Sequence, residues 1–291
     1  RGIMNIEVKG HSGCNIEIKR VGSSLYIEKS TIDINYAPRL LNQAVKQKKA
    51  ALQEYQHIRV PNIYEIKKKE CGLTVKMEYV YSRNFIDHFE NAGFEQINYF
   101  IQAFEQFIKR EVEQSEMRNL SYEIFEEKWA DVKNKIGSNE RFRNDSVVAG
   151  MTQKAEAIFM RERNSVTIPV GVCHGDLTLS NILFNGNNYY LIDFLDSFIE
   201  TPLMDIVKLR QDTAYLWSPL MYTGTYDVTR LNIICNKIDR DLDKYFSQYE
   251  WYRRYYDMFQ LLNFFRILQY AKEEKVVSYL KMALNRILSS V

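Results

Sequence analysis

The stretch His174-Gly175-Asp176-Leu177-Thr178-Leu179-Ser180-Asn181-Ile182-Leu183, followed by Leu191-Ile192-Asp193-Phe194-Leu195-Asp196, constrains this chain more than any other segment. Asn181 stands five residues after Asp176, and Asp193 seventeen residues after it. Short apolar runs flank Asn185-Gly186-Asn187-Asn188, which predicts a strand-rich hairpin with that tetrapeptide as its turn. Such a hairpin gathers two carboxylates and a carboxamide into a small space. Asn oxygen and Asp carboxylate are hard ligands suited to Mg²⁺, a cation that keeps several waters and shares the phosphates of its substrate. A carboxylate can also orient a hydroxyl and take its proton, help worth about 10²–10⁴ in rate. A lone Asp in a turn is ordinarily a helix cap. The fixed company of Asn181 and Asp193 makes Asp176 read as a base instead.

The rest of the chain can house such a site. Its 291 residues, 46% of them hydrophobic, suffice for one large domain or two lobes with real cores. A net charge of +2 gives no global attraction to nucleic acid or to an anionic membrane surface. The Lys67-Lys68-Lys69 run reads as a solvated turn. No apolar run approaches the roughly 18 residues of a membrane span, and Arg1-Gly2-Ile3-Met4 lacks the apolar core of a signal peptide. Cys14, Cys71, Cys173 and Cys235 show neither metal-ligand nor disulfide spacing. The expected compartment is the cytoplasm, with no membrane or nucleic-acid partner.

Before the hairpin the pattern changes twice. Ile16 and Ile18, then Leu25 and Ile27, alternate around Gly22-Ser23-Ser24 and predict a first hairpin. Pro38 to about Gln56 turns helical, with Leu41, Val45, Lys48-Lys49 and Leu52 at a 3.6 period. Arg59-Val60-Pro61-Asn62 breaks that helix, and strands are expected at 63–66 and 73–80. After Tyr81 the chain becomes helical. Phe94–Glu113 repeats Ile97, Phe100, Ile101, Phe104, Ile108 and Val112. Further helices are expected over 122–136, over 145–163 and through most of 203–291. The predicted fold class is therefore α+β: a small antiparallel-sheet N-lobe over residues 1–81 and a larger, mainly helical C-lobe over 82–291.

The pattern H-G-D-x-x-x-x-N, then apolar residues, a turn, apolar residues and I-D-F-x-D resembles the aminoglycoside phosphotransferase and choline kinase family, small-molecule relatives of the protein kinases. The likeness runs from the Gly10 loop to about Asp205. It implies a bilobal protein-kinase-like fold and an enzyme that uses ATP and Mg²⁺. It implies Asp176 as catalytic base and Asn181 and Asp193 as metal ligands. His174 would hold the catalytic loop, and Asp196 would either assist the metal or brace the loop. Lys29, at the end of Leu25–Lys29, stands where the family places its phosphate-binding lysine. Gly10, Ser12 and Gly13 resemble the phosphate-covering loop, where small residues let amides approach an anion. Glu78 and Val80 resemble the hinge that bonds the adenine edge, with Met77 behind it. One departure is plain. Relatives carry a Glu on the following helix that pairs with the lysine, whereas here the placed residues are Gln43 and Gln47; of the two, Gln47 is the expected partner of Lys29.

Other departures bear on the substrate. Protein kinases carry Arg between the His and Asp, Lys two residues after the Asp, and a glycine in the metal motif. This chain has Gly175, Thr178 and Leu195, and no activation segment follows Asp196. A small-molecule alcohol is the expected acceptor: a sugar, an amino alcohol or an aminoglycoside-like compound. Trp217, Tyr222, Trp251, Tyr252, Tyr255 and Tyr256 could cage a quaternary amine, but aromatics at helical spacing ordinarily pack a core. The competing readings are a nucleotide-binding pseudokinase or scaffold, and a protein kinase.

Overall fold

The structure is a computed structural model and describes residues 13–291. The chain opens with β1 (Asn15–Val21) and β2 (Ser24–Thr31), then α1 (Ala37–Ala50), β3 (Ile58–Arg59), β4 (Ile63–Lys69) and β5 (Gly72–Glu78). There follow α2 (Phe85–Asn91), α3 (Phe94–Glu113), β6 (Glu116–Leu120), α4 (Tyr122–Ser138), α5 (Ser146–Met160) and β7 (Val166–Val170). A single 3₁₀ turn, Leu179–Asn181, precedes β8 (Ile182–Asn185) and β9 (Asn188–Leu191). The chain closes with α6 (Pro202–Thr213), α7 (Trp217–Met221), α8 (Val228–Phe246), α9 (Glu250–Leu268) and α10 (Glu274–Ser290). The architecture is the expected one, α+β with an N-terminal antiparallel-sheet lobe and a larger helical C-terminal lobe. No helix among the described residues is long and apolar enough to cross a membrane.

Two compact units emerge. The first takes in the described chain up to Phe107, His174–Ser197 and Ser218–Ile238. Its main sheet has four strands in the order β1-β2-β5-β4, all neighbours antiparallel. Gly22, with φ +61°, supplies the left-handed residue that the two-residue β1–β2 connection needs. One sheet face packs on α1 through Leu40, Ala44, Leu73, Val75 and Met77. The buried face of α1 is therefore Leu40, Ala44 and Gln47, one step out of phase with the expected stripe. Val45 is 38% and Leu52 81% exposed. The helix also ends at Ala50 rather than near Gln56.

Lys67–Lys69 correct a second expectation, because they lie in β4 rather than in a turn. β4 is an edge strand, and exposed lysines there discourage pairing with another chain. A smaller sheet, ordered β3-β9-β8, carries the second hairpin. Phe89, Phe100 and Phe184 are each at most 2% exposed and stack edge to face or in parallel beneath that hairpin. His88 stacks on Phe184 at 4.4 Å, and its burial beside Arg83 pulls its pKa down to about 4, which keeps the ring neutral.

The second unit comprises Ile108–Cys173, Phe198–Trp217 and Asp239–Val291. α9 is buried almost all round, as expected of a helix at the centre of a bundle. Phe125 and Trp129 of α4 pack against its Phe259 and Phe265, and Phe159 of α5 packs against both α4 rings. Trp251, Tyr252, Tyr255 and Tyr256 are all below 9% exposed, so these aromatics fill the helical core. β6 and β7 form a short antiparallel ladder. The side chains of Ser121, Asp145 and Thr201 cap α4, α5 and α6.

Candidate active site

The described residues expected at the nucleotide and metal site, from Gly13 and Lys29 to Asp193 and Asp196, fall within the first unit, whereas Trp217, Trp251, Tyr252, Tyr255 and Tyr256 fall within the second. The stretch that holds most of them is shaped by its backbone. Asp176 leaves the His174 loop, the 3₁₀ turn delivers Asn181, and β8 and β9 return the chain to Asp193. Asn181 is buried, and its Nδ2 donates to the Asp176 carbonyl at 2.8 Å and to Asp176 Oδ2 at 3.0 Å. The first bond fixes the loop and the second fixes the rotation of the Asp176 carboxylate. With its nitrogen committed twice, Asn181 keeps Oδ1 as the atom that suits a hard cation.

His174 is 1% exposed and lies against Phe194 at 4.3 Å. Its Nε2 faces the Ile192 carbonyl at 2.7 Å, and its Nδ1 accepts from the Asp176 amide at 3.1 Å. A carbonyl only accepts and an amide only donates, so the ring is neutral with its proton on Nε2. The two strands of the site are tied again by Ile192 N–H to the Asn181 carbonyl and Leu195 N–H to the His174 carbonyl, each 3.0 Å. The ring thus ties the Asp176 amide to the Ile192 carbonyl.

Gly175 is required by geometry. Its φ is +93°, and a Cβ there would lie 1.9 Å from the Leu195 carbonyl oxygen. Any side chain would part the His174–Asp176 loop from the segment 193–196. Asp193 itself has φ +57°, a left-handed conformation that Asp and Asn tolerate better than bulkier residues.

Lys29 projects from β2, where it is opposite Ile16 on β1 and Val75 on β5. Its ammonium pairs with Asp193 Oδ1, and its side chain is 13% exposed. The sheet lysine and the acid of the D-F-L-D motif thus meet across 164 residues of sequence. Cys14 lies nearby, and burial pushes its thiol up against the opposing pull of Lys29.

The remaining residues divide. Gln47 is 3% exposed and donates to the Pro61 carbonyl at 3.0 Å and toward Met77 Sδ at 3.8 Å. Lys29 is accordingly paired with Asp193 and not with the Gln47 amide. Met77 is buried on β5 within the α1 core. Glu78 is tied to Asn62, whose backbone and side-chain nitrogens each lie 3.1 Å from Glu78 Oε1, and the Glu78 amide donates back to the Asn62 carbonyl at 2.9 Å. Val80 is 9% exposed where the chain leaves the sheet. Asp196 is exposed. Gly13, φ +107°, sits against Tyr36, and its carbonyl accepts from Thr31 Oγ1. Gly10 and Ser12 lie outside the described residues.

Sequence reasoning missed one contact. Lys46 Nζ donates to the Leu195 carbonyl at 2.5 Å, so α1 reaches the D-F-L-D segment through a lysine. The signal was a lysine beside the buried Leu40–Ala44–Gln47 stripe, and it was hidden by the misplaced phase of that helix.

A donor set of one Asn, one Asp and a nearby ammonium suits a Mg²⁺–phosphate complex. Mg²⁺ is typically held by one or two carboxylates and completed by substrate phosphates. Among the described residues no group of three or more His, Cys, Asp and Glu could hold a metal.

Comparison with known proteins bears on the fold. Residues 100–228 match the phosphotransferase enzyme family. The GDP and kanamycin complex of APH(2")-IIia is similar over 100% of this chain and 95% of its own, with TM-score 0.65 and 14% identity. A glucosamine kinase is similar over 93% of this chain and 77% of its own, with TM-score 0.61 and 9% identity. The complex of spectinomycin phosphotransferase APH(9)-Ia with ADP and spectinomycin is similar over 98% of this chain and 92% of its own, with TM-score 0.55 and 12% identity. A search of curated proteins gave no match. At these identities the structural likeness shows the fold. The chain therefore has the fold of these phosphotransferases, and its residues 100–228 match the phosphotransferase enzyme family.

Proposed function

We propose that this protein is an ATP-dependent phosphotransferase that moves the γ-phosphoryl group to a hydroxyl of a small molecule. The observation that carries the reading is the meeting of Lys29 with Asp193 beside the Asp176–Asn181 pair. The family match over residues 100–228 supports it.

In this reading Asp176 accepts the hydrogen bond of the acceptor hydroxyl and takes its proton as the oxygen bonds to phosphorus. Asn181 holds the Asp176 carboxylate in one rotation. Asn181 and Asp193 would hold Mg²⁺, which would supply positive charge to neutralise the phosphates. Lys29 offers its ammonium to the α- and β-phosphates. The Glu78 and Val80 backbone receives the adenine edge, with Met77 behind it, and Gly10, Ser12 and Gly13 cover the phosphates. His174 fixes the loop, and Asp196 braces it or assists the metal.

The solved structures of similar fold include complexes with kanamycin, spectinomycin and glucosamine. An amino sugar or aminoglycoside is therefore the first acceptor to try, followed by neutral sugars and amino alcohols. GDP is bound in one of those structures and ADP in others, so ATP and GTP both belong in the screen. The test is phosphoryl transfer from either nucleotide across that panel, with product identified by mass spectrometry. Transfer to one acceptor class is expected, and it disappears in Asp176→Asn. Full transfer by Asp176→Asn to the same acceptor removes Asp176 as the base. A nucleotide-binding scaffold is the second reading, favoured by the absence of an acid on α1 to pair with Lys29. It expects a thermal shift with Mg·ATP and no transfer to any acceptor.

A further inference from the structure

We propose that Lys46 is a positioning residue for the phosphoryl-transfer site, coupling α1 to the segment that presents Asp193. The inference rests on the phosphotransferase reading and concerns a residue that the family likeness does not assign.

The contact is specific. Lys46 Nζ lies 2.5 Å from the Leu195 carbonyl oxygen, 149 residues away in sequence. The Leu195 peptide is constrained on both sides. Its N–H donates to the His174 carbonyl, and its oxygen lies where a Cβ on Gly175 would be. Lys46 is half-buried, whereas Lys48 and Lys49, next along the helix, are exposed. A lysine that merely solvated the helix would have no reason to end on a carbonyl in another segment. A charge-assisted donor to a partly buried carbonyl is among the stronger hydrogen bonds a protein makes.

The position of Asp193 gives the contact its consequence. Asp193 stands two residues before Leu195 and holds a left-handed backbone. Such conformations persist where the surroundings over-determine them. Lys29 holds the Asp193 side chain, His174 holds the Ile192 carbonyl, and Lys46 holds the Leu195 carbonyl. Gln47 cannot perform this task, because its amide is buried against Pro61 and Met77. A helix that lacks an acid for the sheet lysine is still tied to the metal-binding segment, by a cation on the preceding residue and through a backbone acceptor.

Loss of the ammonium should therefore loosen 192–196 and weaken the grip on the Mg–nucleotide complex, leaving the acceptor unaffected. The experiment compares the full chain with Lys46→Met, Lys46→Arg and Lys48→Met. Amide hydrogen exchange is followed in the nucleotide-free proteins, and KM is measured separately for Mg·ATP and for the acceptor found by the screen. In Lys46→Met, amides of 192–196 are expected to exchange on the order of tenfold faster, and KM for Mg·ATP to rise on the order of tenfold. The acceptor KM stays put, Lys46→Arg recovers to within about threefold of wild type, and Lys48→Met matches wild type. Unchanged exchange over 192–196 overturns the proposal. So does faster exchange spread evenly over the chain, or an equal rise in both KM values. A wild-type protein with no transfer and no nucleotide binding defeats the phosphotransferase reading, while the exchange comparison still decides whether Lys46 holds Leu195.

Discussion

The His174–Asp196 stretch and the Arg210 cluster of the helical unit are both dense in hydrogen bonds, yet they are built in opposite ways. In the first, nearly every bond has a backbone group at one end: His174 to Ile192, Asn181 to Asp176, Lys46 to Leu195. In the second, side chains meet side chains. Arg210 forks onto Asp239 at 2.8 and 3.0 Å, reaches Asp243 at 3.3 Å and Tyr252 Oη at 2.7 Å, and lies over the Tyr256 ring at 4.6 Å. Burial disfavours the Arg210 charge, but Tyr256, Asp239 and Tyr252 outweigh it and raise its pKa well above the usual range. Strong electrostatics here mark a fastening of helices. The lesson is that charge density alone does not locate chemistry.

The comparison can be broken at either end, and the largest effect is expected in the His174–Asp196 stretch. Asp176→Asn should lower kcat by about 10²–10⁴ while circular dichroism shows an unchanged fold. Next comes Arg210→Met, which leaves Asp239 half-satisfied in a largely buried site. Removing one partner of such a pair costs about 3–5 kcal/mol, readable by urea denaturation, with activity per folded molecule unchanged. A large loss of kcat at full stability would instead make that cluster part of the machinery. Gly175→Ala should cost about 1–3 kcal/mol from the clash with Leu195 and the left-handed backbone, and transfer activity should fall with it.

The smallest effect is at a helix cap. Asp145 accepts from the Val147 and Val148 amides and pairs with Lys281 at 2.5 Å. Asp145→Ala should cost about 1 kcal/mol. The Lys281 hydrogen bond, aided by the capped amides, holds the Asp145 carboxyl lower than usual. Its folded pKa lies beneath its unfolded one, so its stabilisation is complete above about pH 4 and is lost as pH falls through the folded value. The gap in melting temperature between Asp145→Ala and wild type should shrink in that acid range.

Much of this was legible in the sequence where a period or a spacing carried it. α3 occupies Phe94–Glu113 as its apolar repeat required. β1, β2, β8 and β9 flank turns marked by Gly22 and Gly186. The acid–amide–acid set was visible because its members share one hairpin. α1 was placed out of phase because Leu41, Val45 and Leu52 form a rival stripe that solvent takes instead. Lys46 was lost with it. The Arg210 cluster had no spacing to betray it, since α6, α8 and α9 contribute one or two members each. β6 was missed because Glu116–Leu120 has no apolar face; the strand is set by pairing with β7.

At position 193 two independent demands narrow the chemical alphabet to a single letter. A left-handed backbone, φ +57°, favours Gly, Asn and Asp. The ion pair with Lys29 calls for an anion. Only Asp meets both. Asn keeps the conformation and gives up the charge, whereas Glu keeps the charge and loses the short side chain that makes the conformation tolerable. Substituting each in turn would separate what the loop needs in order to hold its shape from what the site needs in order to hold a cation.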